Sequence, residues 1–383
     1  MFKKKLISKI EIYLPPAVGY SFNILFNLVR VNNILPKYIP KILAVFVINL
    51  INFPFRLYER LFINPKIKNE TLENTPIFII GHWRSGTTHL HNVLCQDSQM
   101  GYTTTYQSVF PDTLFNKLGL FLFKGFTRLV MPSKREGDNV YLDASFPQEE
   151  EFALGDKTPI CFYYFWMFPK NLLKYYNDYI RFKTPNFTQI ESWKKDYKLL
   201  INKSLKNTNK KIYLSKNPPN TGRIKILLEM FPNAKFIHIH RNPIEVFLST
   251  QKFFTKMLPH LQFQSISSKE IDENIFILYK NLMSDYFDQK KYIPEGNLFE
   301  LSFNQLEEHP VLVLKDLYQG LGLQGFDQAL PKFTKYLKSV DSYKKNKHRI
   351  KKEHLDTLLA EWKTFMISYN YSVPDTIEIV NEY

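Results

Sequence analysis

Residues 76–94 constrain the fold of this chain more than any other stretch. Ile77–Ile80 is a short, uncharged, largely β-branched run, the pattern of a parallel strand buried on both faces. A tight turn with Gly81 and Gly86 at its ends follows, and the residues from Gly86 or Thr87 to Leu94 read as a helix. Strand, glycine-bounded turn and helix N-terminus together aim several backbone N–H groups at one anion. Gly81, four residues, Gly86 and then Thr87-Thr88 is the spacing of a P-loop whose lysine position holds Thr87. A nucleoside triphosphatase uses that lysine on its β- and γ-phosphates, so its loss speaks against triphosphate chemistry.

The 383 residues and 44% hydrophobic content fit a globular protein that one enlarged α/β domain could hold. A formal charge of +15 favours an anionic partner: nucleic acid, an acidic membrane surface or a multiply phosphorylated small molecule. The two cysteines, Cys95 and Cys161, read as reduced core thiols, and no Cys/His cluster has metal-ligand spacing, so no metal site is expected. The expected location is the cytoplasm.

Residues 1–70 form a basic and apolar helical N-terminal extension in this reading, ahead of an α/β domain over residues 71–383. Lys9 and Glu11 interrupt any signal-peptide core after Met1-Phe2-Lys3-Lys4-Lys5. Residues 42–55 carry no charge, but these fourteen fall short of the ~20 that span a bilayer. Basic residues flank them at Lys37, Lys41, Arg56 and Arg60. The segment reads as a helix packed on the α/β domain. The alternative is an interfacial helix making peripheral contact with the inner membrane surface.

Further along, residues 118–130 read as an apolar helix. Pro147-Gln148-Glu149-Glu150-Glu151 reads as a helix start with acids in the first turn. Such acids need no function beyond the helix terminus, and a general base is the functional alternative. The aromatic run from Phe162 to Phe168 fits a core or an acceptor wall. Residues 170–210 read as a lid or insertion. A second strand ends at Ser215, and Lys216 sits at its C-terminal end, where open parallel sheets place their ligands. A third strand covers residues 235–240, followed by Arg241 and, eight positions on, Ser249. Arg241 offers a charged fork to a dianionic phosphate and Ser249, two helical turns later, a hydroxyl.

Arg84-Ser85-Gly86-Thr87-Thr88 after a strand resembles the 5′-phosphosulfate loop of sulfotransferases that use 3′-phosphoadenosine-5′-phosphosulfate (PAPS). The Arg241 and Ser249 pair resembles the 3′-phosphate site of the same family. Residues 147–154 are similar to the family's Pro-Gln-Glu-Asp-Glu-Phe-Ala-Leu pattern and depart from it only at Glu150. The loop carries Arg84 where cytosolic members have lysine, so the resemblance is to the bacterial and Golgi-like branches. It covers roughly residues 76–350.

The resemblance implies a P-loop-like, mostly parallel sheet flanked by helices, and transfer of a sulfuryl group from PAPS to an acceptor hydroxyl, leaving PAP. It implies that Arg84, Ser85, Gly86, Thr87 and Thr88 hold the 5′ end, and that Arg241 and Ser249 hold the 3′-phosphate. Lys216 would stabilise the bridging oxygen, and Glu149 or Glu151 would be the base, Glu149 first. His89 and His91 are weaker candidates for that base, while His238 and His240 read as structural. A late basic loop would place Lys345, Asn346 or Arg349 over the 3′-phosphate. The acceptor is a small molecule, lipid, phenol or glycan, and no nucleic acid partner is expected. The rival readings are a small-molecule kinase using ATP and a non-catalytic protein that binds polyanions or membrane.

Overall fold

The computed structural model describes residues 15–130, 143–340 and 348–381. Its helices include α1 (Phe22–Val31), α2 (Ile39–Tyr58), α3 (Thr87–Leu94), α4 (Lys117–Val130), α5 (Glu150–Lys157) and α6 (Phe187–Thr208). After these come α7 (Ile224–Met230), α8 (Pro243–Leu261), α9 (Ser268–Gln289), α10 (Phe303–Glu308), α11 (Pro310–Gly320) and α12 (Phe326–Val340). The strands are β1 (Ile77–Ile80), β2 (Met100–Gly101), β3 (Ile212–Lys216), β4 (Lys235–His240), β5 (Leu298–Ser302), β6 (His348–Lys351) and β7 (Ile377–Val380).

The chain forms two compact units. The first comprises residues up to Leu72, Tyr102–Asn209 and Phe253–Ser267; the second comprises Glu73–Gly101, Lys210–Lys252 and residues from Ser268 onward. This division differs from a boundary at residue 70, because residues 15–72 share a core with residues 102–209.

The second unit holds a five-stranded sheet in the order β2-β3-β1-β4-β5, with every pairing parallel. β1 lies at its centre and all four of its residues are buried, as a continuous apolar run requires. Side chains alternate across a strand. Ile77 and Ile79 face a core with Leu90, Val93 and Leu94 of α3 and Leu314 and Leu317 of α11, while Phe78 stacks on Phe236 at 5.6 Å. Ser302 at the end of β5 caps α10, accepting from Gln305 N at 3.2 Å.

The first unit is helical. Its α6 begins with a capping box between Asn186 and Gln189 and buries Trp193, Tyr197 and Lys203. Residues 187–208 therefore contribute one face to the core of this unit. The aromatic run is also core: Phe162, Tyr163, Tyr164, Phe165 and Trp166 are all buried.

A cluster of charges occupies the same interior. Asp112 Oδ1 receives Lys157 Nζ and Lys203 Nζ, both at 2.8 Å, and Oδ2 receives Arg60 Nε at 2.8 Å. Glu59 accepts from Lys203 at 2.9 Å. Burial alone would push the Asp112 carboxyl up, but Lys157, Lys203 and Arg60 outweigh it and hold it well below the usual carboxylate range.

Candidate active site

The turn after β1 has the backbone that its glycines foretell. Gly81 has φ +141°, and a side chain there would bring Cβ within 2.3 Å of the Ile239 carbonyl oxygen. Its N–H donates to Thr221 Oγ1 at 2.8 Å, and that hydroxyl donates to the Gly81 carbonyl at 3.2 Å. Thr221 belongs to the proline-rich loop after β3, so one loop braces the other. Gly86 has φ +95° and caps α3, and a Cβ on it would fall 2.2 Å from Phe303 Cδ2. Arg84 also adopts a left-handed conformation, φ +69°, which is uncommon for a residue with a side chain. Ser85 N donates to the His82 carbonyl at 3.2 Å, closing the turn.

Ser85 and Thr87 are buried within this loop, and Thr88 is half-buried. His82 Nδ1 donates to the Trp83 carbonyl at 2.7 Å, and burial pushes its pKa down to about 4, so the imidazole is neutral at pH 7. No Asp or Glu occurs from Ile77 to Leu94. The loop therefore offers backbone N–H groups, hydroxyls and one guanidinium, a donor set suited to a phosphate or sulfate and unsuited to a cation.

Lys216 ends β3 beside Ile79 of β1, and it is buried. Alternation puts its side chain on the sheet face of Leu214, the face covered by α3. Its charge accordingly reaches His91 and Cys95 on that helix and its end. Burial first and Lys216 second pull the His91 pKa well below its usual value. Burial lowers that of His89 as well. Both imidazoles are thereby weakened as bases.

Arg241 follows β4 directly and α8 starts two residues later. Arg241 Nε donates to Glu245 at 3.0 Å, and the guanidinium lies 4.9 Å from the centre of the Phe303 ring. Ser249 accepts from Arg84 Nε at 3.0 Å. The structure thus joins the two motifs directly through Arg84 and Ser249, and places Gly86 and Arg241 against one ring, Phe303. Neither Thr221 nor Phe303 could be singled out from sequence. Thr221 acts by packing one loop on another, and Phe303, in a segment that resembles the family's Tyr-Glu-Asp-Leu region, acts by the ring it offers to Gly86 and Arg241.

His238 and His240 are structural in character. His238 stacks on Tyr286 at 3.8 Å and His240 on Tyr369 at 3.8 Å, and burial lowers both pKa values, His240 to about 3. Arg349 lies on β6 in an exposed ion pair with Glu378 at 2.8 Å. Lys345 and Asn346 lie outside the described residues, as do Lys3, Lys4 and Lys5.

The three glutamates belong to the first unit. Glu149 is the N-cap of α5, in extended conformation, so only Glu150 and Glu151 lie on the helix itself. Glu149 accepts a hydrogen bond from the Tyr163 hydroxyl. Glu150 accepts from Tyr197 at 2.6 Å, and Glu151 accepts from the backbone N–H of Phe162 at 2.8 Å. Glu151 is fully buried, whereas Glu149 keeps 9% of its surface exposed. Three adjacent acids therefore point to three different partners. Among the described residues, no group of three His, Cys, Asp or Glu side chains is arranged to hold a metal ion.

Known proteins resemble this chain in both sequence and fold. The omega-hydroxy-beta-dihydromenaquinone-9 sulfotransferase of Mycobacterium tuberculosis is 28% identical over 327 residues, which is 85% of this chain and 82% of that protein. Among solved structures, sulfotransferase STF9 from Mycobacterium avium shares the fold with a TM-score of 0.68 at 14% identity, over 97% of this chain and 96% of its own. Sulfotransferase STF1 from Mycobacterium tuberculosis follows with a TM-score of 0.59 at 15% identity, over 82% of this chain and 85% of its own. The model of the sulfotransferase family matches residues 76–328, more than half of the chain. These matches favour neither the kinase nor the non-catalytic reading. The chain belongs to the sulfotransferase family, enzymes that move a sulfuryl group from PAPS to an acceptor.

Proposed function

We propose that this sulfotransferase sulfates a hydroxyl carried by a lipid, with Lys216 and Glu149 as its catalytic side chains. The observation that carries the acceptor class is the mycobacterial relative, named for a hydroxylated dihydromenaquinone and aligned over 85% of this chain. When bound, PAPS supplies a sulfuryl group already activated by its nucleotide leaving group.

The loop amides with Ser85, Thr87 and Thr88 hold the 5′ end, where Gly86 lets the backbone come close and Arg84 supplies a counter-charge. Arg241 and Ser249 hold the 3′-phosphate, with Glu245 fixing the direction of the Arg241 fork. Lys216 stabilises the negative charge that grows on the departing oxygen, an interaction made mainly in the transition state. Glu149 takes the proton of the acceptor hydroxyl. Its bond from Tyr163 fixes the carboxylate. Glu151, committed to the Phe162 amide, holds α5 to the aromatic core.

Incubation with labelled PAPS and three acceptor pools tests the acceptor class: a hydroxylated lipid extract, soluble phenols and soluble glycans. Label should pass into the lipid product. Transfer to phenols or glycans alone would overturn it.

A further inference from the structure

Helix α2 buries a mixed face and exposes an apolar one. The face it turns into the first unit carries Ile42 and Val45 in its first half and Asn49, Asn52 and Arg56 in its second, all buried, and Glu59 follows one turn on. Asn49 accepts from Gly19 N at 2.7 Å and donates to the Ala17 carbonyl at 3.1 Å. The opposite face carries Leu43, Val47, Leu50 and Leu57 at helical spacing, all exposed, with Leu50 64% exposed. The uncharged run in the sequence is shorter than the helix it belongs to. The helical segment Pro36–Ile67 is 32 residues long, and by length and composition alone it could cross a membrane.

Helix α4 lies alongside. Gly119 has no side chain to hold off Phe55, whose ring would come within 2.9 Å of a Cβ there, and Phe123 meets the same ring at 5.7 Å. On its outer side α4 exposes Leu118, Phe121 and Leu122, Phe121 by 77%. Single exposed leucines are ordinary on protein surfaces, but a face this continuous over two helices marks a place of contact.

Charge identifies the occupant. From residue 12 to residue 58 there is no Asp or Glu, and there is none in α4. The same segments carry exposed Arg30, Lys37, Lys117 and Arg128. A second copy of a chain with net charge +15 would meet like charge across this face. An anionic bilayer offers acyl chains to the leucines and phosphate headgroups to the basic rim. The asparagine and arginine side of α2 is bound to the unit's own interior, so the helix lies along the surface of the bilayer. We infer that the outer face of α2 and α4 beds into the interface of an anionic lipid bilayer, attaching the enzyme peripherally. The inference does not depend on which acceptor is sulfated.

Flotation of the full chain tests it, with vesicles of phosphatidylcholine alone and of phosphatidylcholine mixed with phosphatidylglycerol, in the absence of any acceptor. The chain should float with the mixed vesicles and markedly less with phosphatidylcholine alone. The double variant Leu50→Glu/Phe121→Glu should partition at least ~10-fold less, with unchanged circular dichroism and PAP affinity. If that variant loses its fold, Lys37→Glu/Lys117→Glu decides, and it should float several-fold less with the mixed vesicles. The inference is overturned if the wild type stays in the buffer with both vesicles, or if the folded variants float as it does. A dimer in solution that Leu50→Glu/Phe121→Glu disperses would also overturn it.

Discussion

Arg84 and Ser249 stand 165 residues apart in the chain, and the guanidinium Nε of one donates to the hydroxyl of the other at 3.0 Å. The loop after the first strand and the helix after the fourth are thereby tied to each other, as the proposed grip on both ends of a nucleotide requires. Arg241→Ala should remove most of the preference for PAP over AMP. A lost hydrogen bond to a charged group is worth about 1.5–3 kcal/mol, or roughly 10- to 150-fold in affinity. Ser249→Ala should cost less, at most about tenfold. Calorimetry with both nucleotides measures the difference, and equal affinities in the wild type would refute the assignment of the 3′-phosphate site.

Lys216→Ala should separate chemistry from binding. Its interaction strengthens as negative charge develops, so kcat should fall on the order of 10²–10³-fold while PAP affinity changes little. Single-turnover kinetics beside a PAP titration tests this, and equal losses in both would make Lys216 a binding residue only.

The glutamates give a contrast within three residues. Glu149→Gln removes a base and should lower kcat by about 10²–10⁴-fold, leaving PAP affinity intact. Glu151→Gln keeps a carbonyl oxygen for the Phe162 amide and should be nearly silent in turnover. Tyr163→Phe should lower kcat less than Glu149→Gln does, because it removes only the hydroxyl that fixes the Glu149 carboxylate. If Glu149→Gln turns over at the wild-type rate, the base lies elsewhere.

Asp112→Asn should be strongly destabilising, since it leaves Lys157 and Lys203 buried beside a neutral group. Breaking a buried ion cluster in this way costs about 3–5 kcal/mol. The sign of the pH dependence follows from the lowered carboxyl. The unfolded chain takes up this proton more readily, so the contribution is complete above the ordinary carboxylate pKa. It is lost as pH falls through the lower folded value. Denaturant melts of both proteins at neutral and acid pH test the magnitude and the direction.

His82 should make the phosphate loop sensitive to acid at a higher pH. Its folded pKa of about 4 lies below the ordinary value near 6.5, so the unfolded chain binds this proton first. Stability contributed by the neutral ring is full above about 6.5 and declines as pH falls toward 4. Hydrogen exchange of the amides of residues 81–88 should rise over that window in the wild type. A flat profile would show that His82 is not the group responsible.

The sheet was legible because β1 has a continuous apolar run and its turn needs glycine at both ends. Those demands are local, and sequence records local demands. Arg241 and Ser249 could be proposed as a pair for the same reason, being one strand end and two helical turns apart. Thr221 and Phe303 could not, because each matters only by meeting Gly81 or Gly86 through the fold. The uncharged run of residues 42–55 understated α2, since the helix continues through Arg56, which is buried within range of the Asp156 charge. Likewise Lys203 looks like a surface residue in its Lys- and Asn-rich neighbourhood, and Asp112, Glu59 and Asn64, which accept its hydrogen bonds, make its burial affordable.

The polar half of the buried face of α2, set against its apolar exposed face, changes how substitutions along it will be tolerated. A protein engineer seeking a better-behaved sample would take Asn49 for a harmless surface residue and leave Leu50 alone as core. Both choices fail here. Asn49→Leu strands the N–H of Gly19 and the carbonyl of Ala17 away from water, while Leu43, Val47 and Leu50 are each more than half exposed and accept charge at less cost. In a library of random variants selected only for folding, acidic codons should therefore accumulate at the leucines, and the asparagines should stay fixed.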